Sequence, residues 1–100
     1  KVVIDNTVGM HAGYCIAMYP LDHGPPHVHL IDSQTLASQG RAATLARYRV
    51  DRFERMSGRP EWDRPMRSWM DTHRDQLLES WDRCQRGGHP FRVEKEISEV

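Results

Sequence analysis

Apolar residues recur along this chain with two different periods, one suited to strands and one to a helix. From Gly13 to Tyr19 nearly every position is apolar, with Tyr14, Ile16 and Met18 on one parity and Cys15, Ala17 and Tyr19 on the other. That pattern predicts a strand over about 13–19, buried on both faces. Pro20 ends it, and Gly24-Pro25-Pro26 forces a stiff, extended connection into a second strand over about 27–31, so the two segments are expected to close as a hairpin. Polar and small residues through Gly40 read as a loop. The alternation resumes over about 42–50, where Thr44, Ala46, Tyr48 and Val50 share a parity; a third strand is expected, although the alanines and leucine there also suit a helix.

Ser57-Gly58-Arg59-Pro60 interrupts the chain, and beyond it the period changes. Met66, Trp69, Met70, His73, Leu77, Trp81 and Cys84 recur at steps of three and four, one face of a helix running over about 63–86. Pro65 fits its first turn with Asp63 as cap, and Gly87-Gly88 supplies the stop. Phe91 to Val93 adds a short final strand, and the acidic tail after it is expected to fray. The fold class expected is α+β: one domain over 1–100, with a small antiparallel sheet of three to four strands packed against one long C-terminal amphipathic helix.

Composition narrows the function classes. Fourteen basic and fourteen acidic residues cancel, so no global field draws the chain to nucleic acid or a membrane. The balance is uneven, with nine arginines against five carboxylates between residues 41 and 74. Arg41, Arg47, Arg49, Arg52, Arg55 and Arg59 are the candidate surface for a protein partner or nucleic acid, the alternative being a solvated face whose Asp51 and Glu54 form local ion pairs. Cys15 and Cys84 are far apart and lack metal or redox spacing, which suits buried free thiols in a reducing cytoplasm. No apolar run reaches the length of a membrane span.

The chemistry concentrates in Asp22-His23-Gly24-Pro25-Pro26-His27-Val28-His29, which holds three of the six histidines. On a strand, His27 and His29 project to one side and Val28 and Leu30 to the other, so two imidazoles converge as candidate ligands of a divalent metal such as zinc. Asp22 and His23 stand across the turn as candidate catalytic groups, orienting the imidazoles or acting on water. A catalytic zinc wants a third ligand, and His73, between Trp69 and Leu77 on the helix stripe, is the expected donor if the helix crosses the hairpin. The competing reading is a stiff turn whose histidines cap strand ends and bond Asp22, with His73 bonded to a carbonyl. His11 and His89 read as loop residues, and no nucleophile elbow, phosphate loop or zinc-finger spacing occurs.

These motifs resemble an uncharacterised bacterial family catalogued as domain of unknown function forty-one-sixty. The resemblance rests on Ile16-Ala17-Met18-Tyr19, the box from Asp22 to His29, the run from Trp69 to Trp81 and the closing His89-Pro90-Phe91-Arg92-Val93. Between Gln34 and Asp63 the chain is longer and richer in arginine than the family pattern. The resemblance implies a small cytoplasmic α+β domain, encoded beside another small protein in toxin–antitoxin-like pairs, with Asp22, His23, His27, His29 and His73 as the shared site. Two functions are therefore expected to compete. One is an interaction protein with a small cognate protein partner, and a homodimer as a further assembly; the other is a metal-dependent hydrolase, in particular a ribonuclease. A metal-free nuclease or nucleic-acid-binding module stands behind both.

Overall fold

The computed structural model describes residues 7–11, 14–19, 22–32 and 43–90. Within them the chain forms strands β1 (Thr7–His11), β2 (Tyr14–Ala17), β3 (His27–Asp32), β4 (Thr44–Arg49) and β5 (Glu54–Gly58). A 3-10 turn (Pro60–Trp62) follows, leading into the helix α1 (Asp63–Gln85). The strands pair antiparallel in chain order, β1-β2-β3-β4-β5. The α+β layout is the expected one, and β2, β3, β4 and α1 fall on the predicted segments. The sheet has five strands among the described residues, because β1 and β5 join it without a clear alternating pattern of their own. The strand expected over 91–93 lies outside the described residues.

Strand alternation decides what the helix covers. Val28 and Leu30 of β3 share a face with Ile16, Ala46 and Tyr48, and all of these pack with Met66, Met70, Leu77, Trp81 and Cys84 in the principal core. A smaller cluster of Cys15, Ala17, Ile31 and Ala43, with Tyr19 against it, holds apolar residues of the opposite strand parity. β3 is thus buried on both sides, and both cysteines are free and buried, as the sequence suggests.

The helix starts differently from the expectation. Asp63 is its first residue rather than its cap, and its carboxylate instead accepts from the Tyr48 hydroxyl at 2.9 Å and from Arg55 at 3.1 Å. This ties the helix start to β4 and β5. Burial, then the hydrogen bond to Asp63 and the charge of that carboxylate, push the Tyr48 phenol well above its ordinary pKa. Because the Tyr48 ring is fully buried, Tyr48→Phe keeps the packing and removes one hydrogen bond, at an expected cost of about 1 kcal/mol in urea denaturation. At the other end Gly87, at φ +88°, donates to Cys84 O while Gly88 donates to Arg83 O at 3.0 Å, the paired bonds of a Schellman stop. The helix bends at His73 (φ −114°, ψ 16°), next to Thr72, whose hydroxyl donates back to Ser68 O at 2.9 Å.

Candidate metal centre

His27 opens β3 directly after the double proline and His29 follows on the same side, as period two requires. Asp22 N–H reaches Tyr19 O, and the Asp22 carboxylate meets both rings at their Nε2 atoms. One oxygen, Asp22 Oδ2, lies 3.1 Å from His27 Nε2 and 3.0 Å from His29 Nε2. All three side chains are buried: His27 and His29 are 3% exposed and Asp22 7%. Their ligand atoms lie within 4.8 Å of one another, a group able to hold a metal ion.

The outer nitrogens fix how the rings present themselves. His27 Nδ1 lies 2.9 Å from the Pro25 carbonyl, which only accepts, so Nδ1 carries a proton, while Nε2, turned to Asp22, donates to the carboxylate if it is also protonated and offers a lone pair if it is not. His29 Nδ1 meets Thr44 Oγ1 at 3.1 Å, a hydroxyl that serves either tautomer. Aromatic rings wall the site: Tyr19 stands edge-on to His29 at 5.0 Å and Trp81 lies 5.2 Å from His27. The helix also touches the turn through Gln85 Nε2, which donates to Asp22 O at 3.1 Å. Thr44, Tyr19, Trp81 and Gln85 escaped the sequence reading as site residues, and Pro25 entered it only as part of the stiff turn. Only Thr44, on a strand paired with the H-x-H segment, had a signal that could have found it.

The expected site is assembled in part. Asp22, His27 and His29 come together, and His23 next to them is exposed to solvent. His73 is not one of the group: it lies against the Trp69 ring at 5.0 Å. The helix meets the site through Trp81, eight residues further on, or about 12 Å along the axis. The physical reason is the strand's alternation, since α1 packs on the Val28 and Leu30 face and the H-x-H pair faces the other way.

Most of the candidate arginines have local partners. Arg49 is paired with Asp51 at 2.6 Å, Arg52 with Glu54 at 3.8 Å, Arg55 with Asp63 at 3.1 Å and Arg59 with Glu61 at 3.9 Å. Arg47 donates from Nε to Ser57 Oγ at 3.0 Å, and Arg41 lies outside the described residues. No helix among the described residues is long and apolar enough to cross a membrane.

Burial lowers the His29 pKa from 6.5 to about 4, with the neighbouring His27 and then Arg47 pushing the same way. Between those values the unfolded chain binds a proton that the folded chain refuses, so stability falls as pH drops through the window, by at most about 1.4 kcal/mol per pH unit. The thermal midpoint is expected to be level above pH 6.5 and to decline steadily from 6.5 toward 4. An unchanged midpoint across that interval would show that His29 is not held neutral by its surroundings.

Compared with known proteins, the chain matches no family model, no curated protein and no solved structure.

Proposed function

We propose that the chain is a small metal-binding interaction protein in which Asp22, His27 and His29 hold one divalent cation, zinc in the first instance. The observation that carries this reading is the convergence of His27 Nε2, its ring held from behind by Pro25, and His29 Nε2 on one buried carboxylate oxygen of Asp22. Without a metal, N–H groups on the two Nε2 atoms would meet the same oxygen as hydrogen-bond donors. A metal satisfies all three donors at once, with Pro25 and Thr44 orienting the rings from behind. A tetrahedral ion about 2.0–2.1 Å from its ligands sets neighbouring donor atoms about 3.3 Å apart, within a few tenths of an ångström of the two nitrogen–oxygen separations of 3.1 and 3.0 Å, and all three ligand atoms lie within 4.8 Å of one another.

The test is metal content and its effect on stability. Tag-free protein should take up one zinc per chain, and removing it with a chelator should lower the thermal midpoint, because binding to the folded state alone adds to folding free energy. Substoichiometric metal with no chelator effect would leave the box as a hydrogen-bonded turn.

The interaction half of the proposal draws on the sheet. β5 is an edge strand among the described residues, with Glu54 and Arg55 exposed, and a cognate small protein of a toxin–antitoxin-like pair would add a strand there. Coexpression with the adjacently encoded protein should give a stoichiometric complex and a raised midpoint; separate migration of the two would remove the partner. A hydrolase is the second reading, favoured by the donor set itself. Two imidazoles and a carboxylate leave a coordination position for water, and zinc bound this way supplies hydroxide near neutral pH. Ribonuclease activity that zinc restores after chelation would select it.

A further inference from the structure

The sheet register places two arginines of β4 on the face that carries the centre. His29 pairs with Arg47 and His27 with Arg49 across β3 and β4, and directly opposed residues of an antiparallel pair share a face with Cβ atoms about 5 Å apart. The two arginines differ in what they have left to offer. Arg49 spends Nε and one terminal nitrogen on the two oxygens of Asp51. Arg47, half-buried, is anchored through Nε on Ser57 Oγ, and the terminal nitrogens of its fork meet no protein acceptor among the described residues.

Charge then points to a ligand. Among the described residues, a divalent ion held by the buried Asp22, His27 and His29 together with the half-buried Arg47 cation sets three positive charges against the Asp22 carboxylate. Such an excess is compensated by an anion, and the planar fork of arginine matches a tetrahedral oxyanion. Resting on the metal reading above, we infer that the open position of the centre takes a phosphate-type oxyanion, held on its other side by the Arg47 guanidinium. The burial of the three ligands restricts the occupant to a small group, either free phosphate or the terminal phosphate of a monoester.

Cobalt(II) serves as the probe, because its visible absorption reports both uptake and a change of ligand. Inorganic phosphate and phenyl phosphate are titrated separately into the cobalt-loaded protein. A saturable spectral change with either one is expected, and the comparison tells free phosphate from a monoester. In Arg47→Gln cobalt uptake should be unchanged while the affinity for that anion falls about tenfold or more, and Arg47→Lys should recover part of the loss. Cobalt uptake with no response to either anion, or equal anion affinity in Arg47→Gln, overturns the inference and leaves the metal reading standing. Failure to bind cobalt at all overturns both.

Discussion

His27→Ala combined with His29→Ala is expected to eliminate stoichiometric zinc binding, lowering affinity by far more than the roughly 10- to 100-fold typical of losing an orienting group behind a ligand. The double variant keeps only Asp22 of the donor set, and one carboxylate in competition with water is a weak site for a divalent ion. Truncating both rings also leaves the buried Asp22 oxygen without its two nitrogen neighbours, so some metal-free stability should go as well. Two milder variants separate these effects. Asp22→Asn keeps the shape and can still meet both rings, yet removes the charge that makes the oxygen a good ligand. Thr44→Val leaves every ligand in place and removes only the hydroxyl behind His29 Nδ1, so it should weaken zinc by about 10- to 100-fold with one ion per chain still bound at saturation. Zinc-competition titration and elemental analysis of tag-free protein give both quantities. One zinc per chain in the double alanine variant would place the metal elsewhere.

The part of this centre legible in the sequence is the part that local geometry dictates. Residues two apart on a strand share a face whatever the rest of the chain does, so His27 and His29 were bound to converge once β3 formed. Asp22 was within reach because a turn of two prolines has few shapes. His73 needed more: which face of β3 the helix would cover. The same alternation that pairs the histidines hands Val28 and Leu30 to the helix, and the apolar stripe of α1 follows those residues. The helix, once so placed, meets the site only through its last turns, at Trp81 and Gln85. The imidazole in the middle of its stripe stays with Trp69.

The arginine segment shows the other limit of sequence reading. Arg47, Arg49 and Arg55 look continuous in sequence, but Arg47 and Arg49 point to the histidine face while Arg55, opposite Tyr48, reaches Asp63 on the helix side. Counting charges could not separate them; register does. β5 itself was hidden because Glu-Arg-Met-Ser-Gly has neither alternation nor marked strand preference, and only pairing with β4 makes it a strand.

That pairing brings β5 very close to β4 at one residue, and Gly58→Ala is expected to be strongly destabilising. Gly58 sits opposite Ala46 with φ at +96°, a conformation side chains rarely adopt. A Cβ there would fall 2.6 Å from Ala46 Cα and 2.7 Å from Ala46 Cβ, and closer still to the Leu45 carbonyl oxygen. These obstacles are main chain and the first atom of a side chain, so no rotamer change relieves them; β5 must move off β4 or the sheet must distort. Conformational strain of about 1–2 kcal/mol and overpacking of about 1–3 kcal/mol together put the loss near 3 kcal/mol. Gly87→Ala is the control: φ is +88° there too, but nothing lies within 4 Å of the added carbon, so only the strain remains. The denaturant midpoint should therefore fall markedly further for Gly58→Ala than for Gly87→Ala. Because β5 carries Ser57, the anchor of Arg47, the same variant should also weaken anion binding at whatever metal occupancy it retains. Equal losses in the two alanine variants would mean that β4 and β5 do not approach each other as closely as this register requires.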